Sequence, residues 1–589
     1  MRKPYQICLL LLVGCFVPGI VSAQSPTAQG GGSFMLQCPT TTAYHPTVYP
    51  AGAGEPAYTG PSPLSVTVGG VTFSAAANAD HQHPPYISNG GQIKCQEISG
   101  GDGMMTEADG NQTYMFSFGP LSGIDNIQHG LPGTLLNTDF NNPCQLNGTG
   151  PVVNCYYNNP MLPSVCGPAA PASCPTAGAA GISGNAAITD PTYDPSKPIN
   201  LNAGVRDPAT MITLGVLNGN IPAPLMAFDE DDEFFLTLSN VGMIMRPDLF
   251  EQHTVHFHGY PNASSYYDGV PDASWAINIG GSATYYYLAP DAGTYFWHCH
   301  ITPPEHLQMG MVGQLYVRPR QNRVPQDGTT LYHSLQLQQN DLRTACNTTS
   351  ATNQDLLCSV PMPLSDNGVQ HINDSFGQPT KYAYNDGDGS TAYDIDVPIQ
   401  IHGFDPNFHF VGMTFNPEGF ADMKDKYFLL NGRSYPDTVG IPGYAGGPTV
   451  AAATAAGSPD VASNAIGTED TDGRTRFSQP LPTLITLKQG QKALLRIADL
   501  DVTEYQTLAS LGIPMKVIGF QAKLLRDQAG NNMYVTTNSI TVGGGESLDV
   551  ILDSTGIPPG TYFLYTPNLD HLSNGPENFG GLMTEVVVQ

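Results

Sequence analysis

One short segment combines residue types that bind a soft metal. Residues 293–313 read GTYFWHCHITPPEHLQMGMVG, in which a cysteine stands between two histidines and is followed by a histidine and two methionines. Thiolate and thioether sulfur are soft ligands, and imidazole nitrogen also suits copper. A second segment upstream, FEQHTVHFHG at residues 250–259, carries three more histidines. The residue types predict a copper site, and its chemistry depends on how the two segments meet.

The alternation of side chains along a β-strand predicts how these ligands are divided. Successive side chains of a strand point to opposite faces. Cys299 and His253 are therefore expected on one side of a paired sheet, away from the other histidines. Four imidazoles share the opposite side: His256, His258, His298 and His300. Two metal groups would then lie back to back, joined through the backbone around Cys299, as a one-electron donor site feeding a second site requires.

The loop after the second strand supplies further candidates for the cysteine side. His306 and Met311 follow Cys299 within this loop. Two histidines, one cysteine and a weak axial methionine form the ligand set of blue copper. The four-imidazole side has no thiolate and suits copper of a different type.

An internal repeat indicates that the same β-domain occurs twice. The segment FEQHTVHFHG matches TEYQTLASLG at residues 503–512, and GTYFWHCH at 293–300 matches GTYFLYTP at 560–567. In the second copy each of the six ligands in these segments is replaced, by Gln506, Ala509, Leu511, Tyr565, Thr566 and Pro567. The second copy is therefore predicted to be a scaffold.

Composition supports an all-β chain with long loops. Strand-like runs such as FFLTL, QLYV and SLDVIL alternate with turn residues, and the chain contains 65 Gly and 51 Pro. The net charge of −28 disfavours nucleic acid as a partner and attracts cations. The predicted division is a signal peptide at 1–23, a Gly/Pro/Ala-rich region at 24–110, a copper-binding domain at 111–320 with a Cys/Pro-rich insertion at 140–205, and a second domain at 321–589.

The first residues predict export. Arg2 and Lys3 precede a short apolar run that is too short to span a membrane. The small residues before Gln24 predict cleavage there, whereas the residues before Cys15 also resemble a lipoprotein box, which would anchor the protein. We expect a periplasmic, cell-surface or extracellular protein without a transmembrane segment.

The cysteine count also fits an exported protein. Of 11 cysteines, Cys8 and Cys15 lie in the signal, and Cys299 lies among the histidines. The remaining cysteines are even in number and are expected to form disulfides of open connectivity: Cys38, Cys95, Cys144, Cys155, Cys166, Cys174, Cys346 and Cys358. The odd cysteine, Cys299, is therefore the one available to a metal.

These motifs resemble the copper-binding motifs of multicopper oxidases, the laccase-like enzymes built of cupredoxin domains. The resemblance covers residues 205–320 well and 320–589 loosely. It implies an all-β fold of tandem cupredoxin-type Greek-key β-sandwiches with a loop-rich N-terminal region. Carried over, it implies type 1 copper on His253, Cys299 and His306 with Met311 axial, type 2 copper on His256, and a type 3 pair on His258, His298 and His300.

The chain departs from the family in the loop that carries His306. ITPPE places five residues before this histidine where the family usually has three, so Pro303 and Pro304 look like an insertion. Glu305 and Asp268 resemble acids that help deliver protons to oxygen in bacterial members. Either acid is equally compatible with a loop-capping or solvated carboxylate.

A larger departure concerns the second half of the histidine cluster. A trinuclear site in the family takes eight histidines, and this domain supplies four. In two-domain relatives the others come from a neighbouring subunit of a homotrimer, yet here the second copy has lost the equivalent positions. His81, His83, His402 and His409 are the remaining candidates.

The expected function is that of an exported copper oxidoreductase. Single electrons would enter from a phenol or from Mn(II), Fe(II) or Cu(I) near His306, whose ring edge is expected to face solvent. Dioxygen would be reduced to water at the histidine cluster. Two alternatives remain open: a two-copper enzyme of the nitrite reductase kind, and a non-catalytic blue-copper electron carrier or copper-binding protein.

Overall fold

The structure is a computed structural model that describes most of the two predicted domains. It covers residues 34–42, 44–45, 65–68, 71–74, 91–107, 112–123, 127, 131–140, 204–206, 219, 221–260, 262, 264–289, 291–337, 361–412, 419–439 and 483–589. The predicted signal peptide and nearly all of the predicted insertion at 140–205 lie outside these residues.

Strands dominate the described part of the chain. They are β1 (Phe34–Leu36), β2 (Ser65–Val68), β3 (Val71–Ser74), β4 (Ile93–Thr106), β5 (Gln112–Pro120), β6 (Leu135–Leu136), β7 (Gly204–Arg206), β8 (Met226–Asp229), β9 (Glu233–Gly242), β10 (His256–Phe257), β11 (Ser282–Leu288), β12 (Gly293–His298), β13 (Val312–Arg318), β14 (Lys381–Tyr382), β15 (Ala392–Tyr393), β16 (Ile395–Phe404), β17 (Tyr427–Leu430), β18 (Ile485–Leu487), β19 (Lys492–Asp499), β20 (Gln506–Leu511), β21 (Met515–Phe520), β22 (Lys523–Leu524), β23 (Val535–Thr537), β24 (Ser539–Val542), β25 (Ser547–Asp553), β26 (Gly560–Tyr565) and β27 (Met583–Val588). The predicted strand segments FFLTL, QLYV and SLDVIL lie in β9, β13 and β25.

Helices are few and short within the same ranges. The α-helices are α1 (Asn137–Phe140), α2 (Pro303–Gln308), α3 (Leu331–Leu337) and α4 (Pro406–Gly412). Single 3₁₀ turns occur at Ser265–Tyr267, Arg320–Arg323, Phe420–Asp422, Asp437–Val439 and Leu569–His571. The predicted all-β fold class is confirmed.

The first β-sandwich is built from two sheets that share one hydrophobic core. One sheet has the strand order β11-β9-β4-β5, with β6 beside β4, and the other has the order β10-β12-β13-β8. Phe234 and Leu236 of the first sheet and Trp297 and Leu315 of the second sheet belong to the same buried cluster. Alternating inward side chains from both sheets therefore form a sandwich core.

Strand β4 is the main difference from the sequence-based description of this half. Its 14 residues lie in the region 24–110, which the composition predicts to be loop-rich. It nevertheless pairs with β5 on one side and with β9 on the other. The predicted boundary between residues 110 and 111 therefore falls inside a sheet of the first sandwich.

The second sandwich repeats this plan with a separate core. Its sheets have the orders β17-β16-β19-β25-β21-β22, with β23 beside β21, and β18-β27-β26-β20-β24. Aliphatic side chains such as Leu495, Val550 and Leu564 fill its core. Tandem β-sandwiches are therefore present, as the fold prediction stated.

The strand registers match the internal repeat residue by residue. His256 pairs with His298 between β10 and β12, and Ala509 pairs with Tyr565 between β20 and β26. These are the positions that the sequence repeat places opposite one another. In both copies the next strand, β13 or β27, also pairs in parallel with the edge strand β8 or β18. The two sandwiches therefore share one topology around these strands.

Buried polar contacts join the two sandwiches. The Asp549 carboxylate accepts hydrogen bonds from Thr294 Oγ1 at 2.6 Å and from the Tyr384 hydroxyl. Gln314 Nε2 donates to the Arg496 carbonyl at 2.7 Å. Because buried polar groups are costly to leave unpaired, these bonds fix how the sandwiches pack.

Part of the disulfide prediction is confirmed. Cys38 and Cys95 form a disulfide, and Cys299 is a buried free cysteine. The other cysteines predicted to pair lie outside the described residues. Among the described helices, none is long and apolar enough to cross a membrane.

The repeat provides a matched pair of glycine substitutions. Gly293 of β12 has φ +141, and an added Cβ would lie 2.6 Å from the Ala522 backbone of the second sandwich. Its counterpart Gly560 has no neighbouring atom closer than 3.8 Å to such a Cβ. We expect Gly293→Ala to lower the free energy of unfolding by about 1–3 kcal/mol through overpacking. Urea unfolding should show Gly560→Ala within about 0.5 kcal/mol of wild type; equal losses in both variants would contradict this packing analysis.

Candidate metal centre

Two short strands and one bridge hold the candidate ligands. The pairing of β10 with β12 sets His256 beside His298. Just before β10, His253 forms an isolated β-bridge with Ile277, in which each backbone N–H donates to the carbonyl of the other. These two hydrogen bonds fix the backbone at His253, just before β10. They therefore help to hold this strand of two residues in register.

The first ligand group consists of Cys299, His253 and His306. Their potential ligand atoms all lie within 4.8 Å of one another, and all three residues are buried. His306 Nδ1 lies 3.3 Å from Cys299 Sγ. A thiolate and two imidazoles at these distances form the core of a blue-copper ligand set.

Unpaired polar atoms indicate that this group is built for a metal. Neither ring nitrogen of His253 has a hydrogen-bond partner among the described residues, although the side chain is fully buried. A buried imidazole without partners costs free energy unless a ligand satisfies it. The residues present therefore fit a copper ion between His253, Cys299 and His306.

Cys299 and His306 interact electrostatically in the metal-free group. Burial raises the pKa of the Cys299 thiol, but the neighbouring His306 and hydrogen bonds to the sulfur lower it below its ordinary value. Burial likewise lowers the pKa of His306, but the Cys299 sulfur and the Glu251 carboxylate raise it to about 9. The thiolate is the form that binds metals, so the pair prepares the sulfur as a ligand.

The predicted axial ligand lies next to this group. The Cys299 backbone N–H donates to the Met311 carbonyl at 2.9 Å, and the Met311 N–H donates to the His306 carbonyl at 2.8 Å. Met309 and Met311 are both buried in the core cluster that contains Cys299. The axial role of Met311 stays a prediction.

The second ligand group lies on the other face of the same strands. Ligand atoms of His256, His258 and His298 lie within 4.8 Å of one another. The ring of His300 lies beside them, with centroid distances of 5.2 Å to His256 and 5.5 Å to His298. The structure thus brings together the four predicted imidazoles, with His300 slightly outside the tightest three.

Backbone carbonyls hold two of these rings in the orientation that a metal requires. His256 Nδ1 lies 2.6 Å from the Asp268 carbonyl, and His298 Nδ1 lies 2.6 Å from the Cys299 carbonyl. These carbonyls accept the Nδ1–H and leave Nε2 as the ligand. The third ring, His258, lies against Gly545, where an added Cβ would lie 3.1 Å from His258 Nδ1.

The electrostatics of the second group also favour metal binding. Burial and the neighbouring imidazoles lower the pKa of His258 to about 4 and the pKa of His298 well below its ordinary value. Both rings are therefore neutral near pH 7. Their Nε2 atoms approach to 2.8 Å, a hydrogen-bonding distance, so a metal that binds both rings would take the place of the proton between them.

Thr254 connects the two groups through hydrogen bonds. Its backbone N–H donates to Cys299 Sγ at 3.4 Å, and its hydroxyl accepts from the His300 N–H at 2.9 Å. Thr254 thereby holds both the Cys299 sulfur of the first group and the His300 backbone of the second group.

The two predicted acids lie on different sides of the site. The Asp268 carboxylate lies 3.8 Å from His256 Nδ1, beside the four-imidazole group. Glu305 precedes His306, and burial raises its pKa, with further effects from His306, Glu251 and Arg246. His306 and Glu251 belong to the cysteine side, whereas the Asp268 carboxylate lies beside the four-imidazole group.

One expectation about His306 is wrong. The sequence-based analysis places its ring edge at the solvent, but the side chain is 0% exposed. Phe116 packs edge-on against the ring, and the Glu251 carboxylate lies 3.6 Å from Nε2. Glu251 itself is about 30% exposed, so this acid separates the imidazole from solvent.

Glu251 and Gly545 are contacts of the site that sequence reasoning missed. The match of Glu251 to Glu504 in the repeat was the available signal for the first. Gly545 belongs to the second sandwich, and no spacing within the histidine motifs points to it.

Of the remaining histidine candidates, the two that the structure describes, His402 and His409, join neither group. His402 Nε2 donates to the Leu307 carbonyl at 3.1 Å. Both ring nitrogens of His409 face carbonyls, those of Tyr114 at 2.6 Å and Gln308 at 2.8 Å. His81 and His83 lie outside the described residues.

The predicted loop insertion forms helix α2. It begins with Pro303 and Pro304, where proline fits because the first helical N–H groups need no intrahelical partner. The preceding Thr302 has φ 36, a left-handed conformation. The two prolines therefore reshape the loop into a helical turn that carries His306.

Comparison with known proteins identifies the copper-binding segment. Residues 202–322 match the family model described as multicopper oxidase. Copper is the cofactor of that family, and both ligand groups lie inside the matched segment. This segment of the chain is therefore similar to a multicopper oxidase domain.

Named relatives match over the same part of the chain. A laccase of Aspergillus fumigatus, abr2, is 34% identical over 109 residues, which are 18% of this chain and 17% of the laccase. A copper-containing nitrite reductase of Neorhizobium galegae is 32% identical over 119 residues, 20% of this chain and 28% of that enzyme. The chain thus spans well under two thirds of these relatives. A solved blue copper oxidase from Nitrosomonas europaea has a TM-score of 0.38 and 18% identity, covering 63% of this chain and 77% of that chain.

Thr254 and its repeat counterpart Thr507 test the hydrogen bonds around the site. Thr254→Val keeps the side-chain shape but leaves the His300 N–H without its acceptor. We expect a loss of about 1–3 kcal/mol in the free energy of unfolding of the copper-free protein. Thr507 pairs with the Thr541 hydroxyl at the surface, so Thr507→Val should stay within about 0.5 kcal/mol of wild type in the same urea titration. Equal effects would show that the Thr254 hydroxyl has no special role.

Proposed function

We propose that this chain is an exported copper-dependent oxidoreductase of the multicopper oxidase kind. It takes single electrons from a reductant and passes them to dioxygen. The observation that carries the proposal is the arrangement of a buried Cys/His₂ group and a four-histidine group on opposite faces of one strand pair. The match of residues 202–322 to the family model supports it independently.

The proposal assigns each ligand a role. His253, Cys299 and His306 would hold type 1 copper with Met311 as a further ligand, His256 would hold type 2 copper, and His258, His298 and His300 would hold the type 3 pair. Copper in these groups would supply one-electron transfer and the reduction of dioxygen to water. Cys299 is the covalent connection between them, because its neighbours in sequence, His298 and His300, belong to the other group.

The reductant reaches the first group at Glu251. This carboxylate lies between His306 Nε2 and solvent, so a donor docks against it rather than against a bare imidazole. The proposed donors are a phenol or a metal ion such as Mn(II), Fe(II) or Cu(I). The acidic residue and the net charge of −28 both favour a cation.

Asp268 supplies protons on the other face. Its side chain is 31% exposed, its Oδ1 accepts a hydrogen bond from Asn262 at 2.8 Å, and its carbonyl orients His256. A carboxylate that contacts both solvent and the histidine group is suited to carry protons inward. Glu305 has a weaker case, because its charged neighbours belong to the cysteine side.

In this proposal, the remaining ligands of a full cluster come from outside the described residues. Either His81 and His83 complete the group, or a neighbouring subunit of a homotrimer does. The protein is exported to the periplasm, cell surface or extracellular space, with anchoring at Cys15 as the alternative to cleavage before Gln24.

A second candidate function keeps the fold and replaces the oxidant. Four histidines without further imidazoles suit one type 2 copper beside the type 1 copper, and nitrite would then be reduced. The relative from Neorhizobium galegae, which is named a copper-containing nitrite reductase, favours this candidate. A non-catalytic electron carrier is the third, in which the histidine group binds no catalytic copper.

Two ligand substitutions separate the roles of the groups. We expect Cys299→Ser to abolish the blue absorption and to lower oxidation of a phenol or Mn(II) by more than about a hundredfold. His256→Ala should keep the blue band and still lower dioxygen consumption by a similar factor. His333→Ala, an exposed position on α3, is the control and should match wild type. A blue band that survives Cys299→Ser would contradict the assignment.

The electron acceptor decides between the two enzymatic functions. With an artificial reductant, the oxidase proposal predicts dioxygen consumption by an oxygen electrode and no nitric oxide from nitrite under anaerobic conditions. Nitrite reduction without dioxygen consumption would establish the second candidate instead. Reduction of the blue band without turnover of either acceptor would leave an electron carrier.

A further inference from the structure

Helix α2, which carries His306, is held by the second sandwich. His402 Nε2 donates to the Leu307 carbonyl at 3.1 Å. Gln308 Nε2 donates to Asp425 Oδ1 at 2.8 Å. An α-helix of six residues is unstable alone, so its orientation has to come from such contacts.

A third contact to the same helix comes from α4. His409 Nε2 lies 2.8 Å from the Gln308 carbonyl. Burial lowers the pKa of His409 to about 3, so the ring is neutral and donates one N–H at a time, to Gln308 or to the Tyr114 carbonyl. His409 therefore divides a single N–H between two carbonyl groups. The Gln308–Asp425 hydrogen bond, by contrast, joins two side chains and has its own donor.

Asp425 is supported by a second buried carboxyl group, Asp501. Both side chains converge over Gly403, where an added Cβ would clash with Asp425 Oδ2 and would lie 2.7 Å from Asp501 Oδ2. The Thr503 hydroxyl contacts both acids. Burial and the nearby Asp501 raise the pKa of Asp425 to about 8, which favours a protonated Asp425 side chain near neutral pH.

Asp501 in turn leads to the ligand-free copy of the copper site. Gln506 Nε2 donates to Asp501 Oδ2 at 2.6 Å, and Gln506 Oε1 lies 3.1 Å from His571 Nδ1. Gln506 stands where the first copy has His253. His571 Nε2 contacts the Glu504 carboxylate at 3.0 Å, as His306 contacts Glu251 in the first copy.

One backbone hydrogen bond is the same in both copies. Thr566 stands at the position of Cys299, and its N–H donates to the Leu582 carbonyl at 2.9 Å, as the Cys299 N–H donates to the Met311 carbonyl. The second copy thus has hydrogen bonds at positions where the first copy has candidate copper ligands. Those bonds end at Gln308.

We propose that the second sandwich is a positioning device for the copper ligand His306, in which the Asp425–Asp501 carboxyl pair holds Gln308 and thereby fixes helix α2 against Cys299. The inference rests on the proposed function in that His306 and Cys299 are copper ligands. Asp425 and Gln308 are positioning residues, since neither contacts the ligand group itself.

The test compares two substitutions of Asp425 in the full-length chain. Asp425→Asn keeps an oxygen acceptor for Gln308 and presents an N–H to Asp501, whereas Asp425→Ala removes both. Gln308→Ala breaks the same bond from the other side and serves if Asp425→Ala does not fold. Ser554→Ala is the matched control, because it removes a buried hydroxyl that donates to the Gln491 carbonyl at 2.7 Å, away from α2.

The first readout is the reaction of Cys299 with a thiol reagent in copper-free protein, followed by mass mapping of the labelled peptide. We expect the rate to rise at least about tenfold in Asp425→Ala and Gln308→Ala, because a loosened α2 uncovers the sulfur. Asp425→Asn and Ser554→Ala should react like wild type. The second readout is the blue band and the copper hyperfine splitting of loaded protein, which should change in the same two variants alone.

Unchanged thiol reactivity and an unchanged blue band in Asp425→Ala and Gln308→Ala would overturn the inference, as would equal changes in Ser554→Ala. The inference would also be overturned if Asp425→Asn showed the same thiol reactivity and blue band as Asp425→Ala. The thiol readout needs no copper. A wild-type protein without blue copper would therefore refute the proposed function. The reaction rates of Cys299 would still decide whether Asp425 and Gln308 position helix α2.

Discussion

The alternation of side chains at three consecutive residues determines the whole site. Cys299 can face the core of the first sandwich only if His298 and His300 face the other way. The end of one strand thereby supplies the thiol of one ligand group and two imidazoles of the other, and the pairing of His256 with His298 brings in the other strand. The two groups are separated by the thickness of one backbone. The two ligand groups are thus connected through the backbone at Cys299 by strand geometry alone, without a further helix or strand between them.

The second sandwich shows what the same backbone does without ligands. In the first copy, His253 is buried with unpaired ring nitrogens, a cost that a metal can offset. In the second copy, Gln506 and His571 form a hydrogen bond with each other. The second ring nitrogen of His571 contacts Glu504, and the amide nitrogen of Gln506 donates to Asp501. A buried site of this shape has to be filled either by a metal or by hydrogen bonds. The difference explains why one copy is a candidate centre and the other a support for it.

Sequence spacing predicted the features that depend on strand periodicity. The division of ligands between two faces, the repeat and its register all follow from the period of two, and the structure shows the same arrangement. Strand β4 was missed because its glycines resemble a loop; Gly100 is needed because an added Cβ there would clash with Cδ2 of the His253 ring. The burial of His306 and the approach of Gly545 depend on packing between distant segments. No local pattern in the histidine motifs carries that information.

Copper per chain in the fully loaded wild-type protein, measured by elemental analysis together with electron paramagnetic resonance and visible spectra, tests the central claim most directly. Two back-to-back groups predict more than one copper per chain. One copper should show the intense thiolate absorption and narrow hyperfine splitting of a blue site, and the remainder should show signals of histidine-bound copper. A single copper per chain, or full loading without the thiolate band, would contradict the account.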